Sequence, residues 1–166
     1  MKRIVSISLG SSKRNHKAEV EFKGVGFSVE RIGTDGDMDK MIAMIRELDG
    51  QVDAFGLGGI DLYLGTPAHR YTIRDGKRMV AAAQKTPIVD GSGLKDTLER
   101  LTIRHLNQSL GWDFTGKTAL LTSALDRWGM AEELEAAGCK LEIGDLIFAL
   151  GIPISMHKLK TLDRVA

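Results

Sequence analysis

Hydrophobic and polar positions follow two periods along this chain, and each predicts its own kind of element. Residues 4–9 are mostly apolar and predict a strand that ends at Gly10. Two alternating runs, 18–22 and 27–29, flank a glycine-containing turn and predict a β-hairpin. From Met38 to Leu48 the apolar positions recur at helical spacing, after a capping segment at 34–37, which predicts a helix that stops at 49–50.

The rest of the chain continues to alternate between strand and helix patterns. Predicted strands cover 52–57, 70–73, 87–90, 117–122 and 141–143. A predicted helix is capped by Asp75, and others cover 130–137, 145–150 and the residues from Met156 onward. A longer one runs from Leu94 to about Leu110 and has Leu94, Leu98, Leu101 and His105 on one face. Strands that alternate with helices indicate an α/β fold with a mainly parallel sheet and flanking helices, a Rossmann-like three-layer arrangement with an N-terminal hairpin. Right-handed crossovers then place the strand carboxyl ends along one edge.

The pattern also predicts two regions. Residues 1–112 form an α/β region that we expect to bind a substrate, and residues 113–166 form the start of a Rossmann-like nucleotide-binding unit. The last amphipathic helix stops at Ala166 without a capping residue. This favours a fragment of a longer protein over a terminal helix that frays.

Composition excludes several classes of protein. The 166 residues carry a formal net charge of +1, so nothing points to nucleic acid or an anionic membrane as a partner. No run of 18 apolar residues predicts a membrane span, and the N-terminal apolar run is too short for a signal peptide. A single cysteine, Cys139, indicates a reduced thiol and a cytoplasmic location. The four histidines lack mutual ligand spacing, so no metal site is expected.

Glycine is unusually frequent: its 19 residues make up about 11% of the chain, against a usual share of about 7%. Glycine and serine cluster after three predicted strands, at 10–12, 56–61 and 90–93. Ligands of open α/β sheets bind beyond the strand carboxyl ends, where glycine lets backbone amides approach them closely. Neither G-x-G completes a dinucleotide fingerprint, since Asp61 and Asp96 take the sixth positions. The loops therefore predict contacts to the hydroxyl groups of a polar small molecule, or simply tight turns. The expected contact residues are Ser11, Ser12, Gly58 and Ser92.

A second candidate site follows the strand at 117–122. A strand, loop and helix lead to another strand that ends in an acid, the spacing of a dinucleotide-binding βαβ unit. Asp145 would then accept hydrogen bonds from a ribose, and Arg127 would contact a phosphate. Thr122, Ser123 and Gly129 would also face NAD or NADP. Because Ser123 and Arg127 replace two fingerprint glycines, a purely structural βαβ unit is the alternative.

Catalytic chemistry has one candidate. Lys95 follows the third glycine-rich loop, and a lysine beside a carboxylate can transfer a proton to or from an alcohol. Asp61 or Asp90 would orient it. Alternatively, Lys95 and Asp96 are solvated residues of a first helical turn, where the helix dipole favours the aspartate.

Four segments resemble a bacterial family commonly labelled quinate 5-dehydrogenase, a shikimate/quinate dehydrogenase-like group. They are 4–14 (IVSISLGSSKR), 31–37 (RIGTDGD), 53–63 (DAFGLGGIDLY) and 89–95 (VDGSGLK). The resemblance spans essentially the whole chain and implies that it is the N-terminal half of such a protein. It implies an NAD(P)-dependent oxidoreductase that acts on a cyclic hydroxy acid of the quinate or shikimate type. The chain lacks the N-V-T-x-P-x-K segment of shikimate-type dehydrogenases, so no motif assigns Lys95.

The rival hypothesis is a non-catalytic domain that binds or senses a small molecule through the same glycine-rich edge. The sequence leaves the substrate, the choice between NAD and NADP, and the oligomeric state open, a homo-oligomer included.

Overall fold

The computed structural model of the chain describes residues 1–66 and 68–166. It divides into two compact units. Unit 1 comprises Met1–Tyr63 and Thr72–Ser92, and unit 2 comprises Leu64–Tyr71 and Gly93–Ala166. This division at 92/93 comes earlier than the boundary predicted at 112/113, because the helix after Gly93 packs against a later helix of unit 2.

Unit 1 is built on a five-stranded sheet. The strands of the chain are β1 (Lys2–Ser8), β2 (His16–Phe22), β3 (Val25–Gly33), β4 (Ala54–Gly58), β5 (Tyr63–Gly65), β6 (Arg70–Thr72), β7 (Ile88–Val89), β8 (Thr118–Leu121) and β9 (Lys140–Ile143). The sheet order is β2-β3-β1-β4-β7, with every neighbouring pair parallel except β2 and β3. The predicted α/β fold, mainly parallel sheet and N-terminal hairpin are therefore confirmed. β5 and β6 form a separate two-stranded sheet.

The hairpin turn shows why the sequence favours this start. Lys23 and Gly24 both have positive φ, 50° and 75°, between the paired residues Phe22 and Val25. Two successive residues of positive φ make the turn whose twist matches that of antiparallel strands. The alternating runs on either side are thereby locked into one register.

The two helices of unit 1 lie on one face of its sheet. α1 (Met38–Leu48) begins at the predicted cap, where the Asp37 carboxylate accepts a hydrogen bond from the Lys40 amide at 2.9 Å. α2 (Arg74–Val80) begins after Ile73, so the prediction that Asp75 caps it is wrong. The buried core between sheet and helices includes Val5, Ile7, Phe55, Leu57, Met41, Ile42, Ile45 and Met79. Within unit 1 itself, these helices and the sheet make two layers. The Rossmann-like three-layer arrangement of the chain stays a prediction.

Unit 2 contains one parallel pair of strands and a set of helices. Its helical elements are α3 (Ser92–Leu94, whose first residue counts with unit 1), a π-helix (Lys95–Glu99), α4 (Arg100–Gln108), α5 (Trp128–Ala136), α6 (Asp145–Leu150) and α7 (Leu159–Val165). β8 and β9 pair in parallel and are connected by α5, which makes the predicted βαβ unit. The helix predicted from Met156 begins only at Leu159, because Met156 forms a β-bridge with Ile143.

A π-helix interrupts the helix that the sequence predicts from Leu94 to about Leu110. The helical spacing predicts one face for Leu94, Leu98 and Leu101, yet all three are more than half exposed. A π-helical turn closes i→i+5 hydrogen bonds, so α-helical spacing does not hold across it. The sequence pattern contains no signal for this change.

Two observations concern classes of site. Across residues 1–66 and 68–166, no helix is long and apolar enough to cross a membrane. In the same part of the chain, no group of three or more His, Cys, Asp and Glu side chains is arranged to hold a metal ion.

Candidate functional site

The glycine-rich loops of unit 1 meet at the carboxyl ends of β1, β4 and β7, which are parallel neighbours. The Leu9 amide donates a hydrogen bond to the Gly58 carbonyl at 2.9 Å. The Leu62 amide donates to the Asp90 carboxylate at 2.7 Å. We expect residues 10–12, 56–61 and 90–93 along one edge, and this placement is confirmed for 10–12, 56–61 and 90–92. Gly93 counts with unit 2. The chain leaves β1 towards β3 and leaves β4 towards β7, so this edge contains a topological switch point, where α/β sheets bind ligands.

Two glycines allow the backbone segments at this edge to approach closely. A Cβ on Gly33 would lie 2.5 Å from the carbonyl carbon and oxygen of Ser11. A Cβ on Gly58 would lie 2.8 Å from the Cβ and Oγ of Ser8. The loop after β1 therefore depends on the absence of side chains at its neighbours.

Gly33→Ala should lower the free energy of unfolding by about 1–3 kcal/mol, because the new methyl group meets backbone atoms that cannot rotate away. Gly26→Ala is the matched control on the same strand, since its Cβ would meet only the Met1 side chain at 3.7 Å. That variant should be neutral or slightly stabilising. Thermal unfolding followed by circular dichroism measures both. Equal stability of the two variants would show that the loop moves without cost.

The amides of the loop after β1 are already hydrogen-bonded within the protein. The Gly10 amide donates to Ser8 Oγ at 3.1 Å, and the Lys13 amide donates to Ser11 Oγ at 3.2 Å. The Ser12 amide donates to the Asp35 carboxylate at 2.7 Å, and this bond lowers the pKa of Asp35. The amides of Gly10, Ser12 and Lys13 are therefore engaged within the protein. Side chains must supply the contacts instead.

Two arginines supply positive charge beside Gly10. Arg31 donates hydrogen bonds to Ser8 Oγ at 3.0 Å and to the Ser11 carbonyl at 3.1 Å. A terminal nitrogen of Arg31 and one of Arg14 lie 3.0 and 2.5 Å from the position that a Cβ on Gly10 would take. In the described part of the chain, no carboxylate forms an ion pair with either arginine. We name Ser8, Gly10, Ser11, Arg14 and Arg31 the arginine corner.

Sequence reasoning did not select these two arginines. Arg31 reaches the corner because β3 pairs in register with β1, which places Ser8 beside Gly33, two residues further along β3. Arg14 reaches it from a short 3₁₀ turn, Ser12–Arg14. Both arginines lie in segments that carry the resemblance, Arg14 at the end of 4–14 and Arg31 at the start of 31–37, but the resemblance assigns neither of them a role. The strand register and the 3₁₀ turn bring them to one place.

Asp90, a predicted catalytic residue, uses both oxygens to hold its own loop. It accepts hydrogen bonds from the Leu62 amide at 2.7 Å and the Ser92 amide at 3.0 Å. Burial raises the pKa of Asp90, but these amides outweigh it and keep the pKa below its usual value. Asp61 is half-buried in the neighbouring loop. The geometry gives Asp90 a structural role at the edge.

Lys95, the predicted proton shuttle, belongs to unit 2 and pairs with Asp126. Both side chains are mostly buried, at 17% and 18% exposure. The second oxygen of Asp126 contacts Arg127 Nε at 3.2 Å, and Arg127 also pairs with Glu99. Lys95 lies on the π-helix, a feature that occurs frequently at functional sites. The structure thus supplies a lysine–carboxylate pair with a partner other than the predicted Asp61 or Asp90.

The predicted cofactor residues of unit 2 are engaged internally. The buried Asp145 carboxylate accepts hydrogen bonds from the Ala124 amide at 2.8 Å and the Leu125 amide at 2.9 Å, in the loop between β8 and α5. A Cβ on Gly129 would lie 3.3 Å from Arg100, so this glycine serves helix packing. Thr122 is exposed and Ser123 is half-buried in the same loop. The acid at the end of β9 therefore occupies the amides that a dinucleotide phosphate would use.

Comparisons with known proteins match the chain to two domain models of unknown function. Residues 3–90 match the model of DUF8753, a domain of unknown function, and residues 93–166 match that of DUF8754, also a domain of unknown function. No curated protein matches the chain. The border between the two matches coincides with the division after Ser92.

Proposed function

The chain belongs to the DUF8753 family, and we propose that its unit 1 binds a small hydroxy acid of the quinate or shikimate type at the arginine corner. The observation that carries this proposal is a pair of adjacent guanidinium groups without a carboxylate partner among the described residues. A guanidinium binds a carboxylate through charge-assisted hydrogen bonds, often two at once. The corner lies at the sheet edge where α/β folds bind their ligands.

The surroundings of the corner favour a monocarboxylate with hydroxyl groups over a phosphate. Asp35 accepts the Ser12 amide beside the corner, and this hydrogen bond keeps Asp35 anionic by lowering its pKa. A carboxylate repels a multiply charged phosphate but accepts hydrogen bonds from ligand hydroxyls. The half-buried Ser11 and Ser12 provide side-chain hydroxyl groups that can form hydrogen bonds with ligand hydroxyls. A ring with one carboxylate and several hydroxyls matches this set.

Isothermal titration of the whole chain with quinate and shikimate tests the proposal. Cyclohexanecarboxylate, which lacks hydroxyls, and inositol, which lacks a carboxylate, are the matched ligands. We expect the hydroxy acids to bind more tightly than either, and binding to weaken as salt is added. Equal affinity for inositol would show that the arginines do not recognise the ligand.

Arg14→Gln should weaken binding of the hydroxy acid by about tenfold, because it removes one charge-assisted hydrogen bond. The Arg14 side chain is exposed and the described structure gives it no hydrogen bond, so stability should not change. Arg46→Gln, an exposed arginine on α1, is the control with the same change of charge. Equal affinities in the two variants would mean that only net charge attracts the ligand.

A second candidate function is NAD(P)-dependent oxidation of such a hydroxy acid, as the sequence resemblance implies. The mostly buried pair Lys95–Asp126 favours it, since a lysine in this setting can exchange a proton with an alcohol. The βαβ unit formed by β8, α5 and β9 also supports it, because dinucleotide-binding folds are built from such units. NAD or NADP would be the hydride acceptor in such a reaction. Asp145 and Gly129 do not fit a dinucleotide held in the usual manner, because Asp145 binds the amides of Ala124 and Leu125 and Gly129 packs against Arg100.

Titration with NAD and NADP separates the two candidates. Binding of either cofactor together with turnover of a hydroxy acid supports the oxidoreductase. Tight binding of the hydroxy acid without any cofactor binding supports a domain that binds or senses a small molecule.

A further inference from the structure

One face of the sheet in unit 1 has no helix of that unit against it. α1 and α2 pack with Val5, Ile7 and Phe55, and side chains of neighbouring positions point to the opposite face. The strand registers place the apolar residues Ile4, Ala18, Val20, Phe22, Val25, Phe27 and Val29 together on that face. We name these seven residues the open strip.

The open strip is most exposed near the hairpin turn, while Ile4, Ala18, Phe27 and Val29 are half-buried. Phe22 is 63% exposed and Val20 is 52% exposed. Among the described residues, no member of the strip belongs to either hydrophobic core or packs against one. Contiguous apolar surface of this kind marks an interaction site in soluble proteins.

The architecture indicates what shape would cover the strip. β1 and β3 pair in parallel, and parallel strands occur almost only where helices cover both faces of the sheet. β3, which lies between β2 and β1, has nine residues, which at about 3.3 Å per residue span roughly 30 Å. An α-helix of about 20 residues has the same length. One amphipathic helix laid along β3 would contact β1, β2 and β3 together.

Charge indicates which helix would fit. The Lys23 ammonium stands over the Phe22 ring at 5.5 Å, at the turn end of the strip. Arg31 occupies the other end, on the same face by register. The acids of these strands, Glu19, Glu21 and Glu30, alternate onto the opposite face. The strip therefore has Lys23 at one end and Arg31 at the other. Lys2 lies on the same face by register and forms an ion pair with Asp53 at 2.7 Å.

We propose that the open strip binds an amphipathic helix from another polypeptide, with an apolar face flanked by aspartates or glutamates. A second copy fits less well, because two strips packed face to face bring cations towards cations. This proposal does not rest on the hydroxy-acid site, and its test leaves Arg14 and Arg31 unchanged.

Fluorescence anisotropy of two labelled synthetic helices tests the proposal on the whole chain. Both are 18-residue peptides with leucine at i, i+3, i+4 and i+7; one carries glutamates elsewhere and the other lysines. We expect the glutamate peptide to bind at least tenfold more tightly. Val20→Asp should weaken that binding at least tenfold, since it places an anion in the strip. Lys17→Gln, on the opposite face of β2, changes the net charge equally and should bind like the wild type.

Three results would overturn the proposal. They are equal binding of both peptides, no binding of the glutamate peptide, and binding that Val20→Asp leaves unchanged. If Val20→Asp does not fold, Phe22→Ser replaces it, because its side chain is also exposed. Size-exclusion chromatography and sedimentation with vesicles of anionic lipid complete the test. A wild-type dimer that Val20→Asp dissociates, or vesicle binding that it abolishes, would assign the strip to a second copy or to a membrane.

Discussion

Lys95→Met should reduce turnover of a hydroxy acid by about 10²- to 10⁴-fold under the oxidoreductase candidate, because general acid–base groups contribute about that much to rate. The substitution removes the ammonium group but keeps an unbranched side chain of similar length. Asp126 retains Arg127 as a partner at 3.2 Å, so the variant does not leave a buried charge unpaired. Appearance of the reduced cofactor measures turnover.

The matched control is Lys140→Met, an exposed lysine of β9 in the same unit. It should retain normal turnover. Titration of both variants with cofactor and hydroxy acid distinguishes a chemical role from a binding role, since a proton shuttle changes the rate and leaves both affinities nearly intact. Normal turnover in Lys95→Met would remove Lys95 from the mechanism and leave its pair with Asp126 as a structural contact.

Asp145→Ala should lower the free energy of unfolding of unit 2 by about 2–5 kcal/mol, because it leaves the amides of Ala124 and Leu125 without their shared acceptor. The loss is large because Asp145 is only 6% exposed and water cannot replace both bonds. Chemical denaturation followed by tryptophan fluorescence measures it. Both tryptophans, Trp112 and Trp128, lie in unit 2, so the signal reports this unit.

Asp113→Ala is the matched control, because the exposed Asp113 accepts a single amide, that of Thr115 at 2.9 Å. It should cost about 0.5–1.5 kcal/mol.

Asp145→Asn keeps one acceptor oxygen and tests the ribose role that the sequence predicts. If NAD affinity falls by about 10- to 150-fold while stability changes little, the carboxylate binds a ribose and its loop contacts are secondary.

The local elements of this fold were predictable, because each depends on a period or a cap within a short segment. The hairpin around Lys23 and Gly24 and the helix capped by Asp37 both appear where the pattern predicts them. α6 has its predicted bounds, Asp145–Leu150. The edge that collects the glycine-rich loops was also predictable, since parallel strands end on the same side.

The partners of individual side chains were not predictable, because they depend on contacts between distant segments. Asp126 becomes the partner of Lys95 only through packing of the π-helix against α5. Asp145 follows β9 as predicted, yet its carboxylate accepts hydrogen bonds from the amides of the loop between β8 and α5. Arg31 has ordinary spacing in an alternating strand. Its proximity to Arg14 follows from the backbone path past Gly10.

The segment Leu64–Tyr71 has a consequence for the biosynthesis of the chain. It lies within the stretch that matches the first family, yet it counts with unit 2. There the Gly65 amide donates a hydrogen bond to the Leu125 carbonyl at 3.4 Å, and His69 Nδ1 lies 3.8 Å from Asp163 Oδ1. During synthesis this segment emerges long before either partner, so it must wait for about half the chain to follow. Residues 93–166 made alone would lack it, and a gene fusion that transplants them should carry residues 64–71 as well.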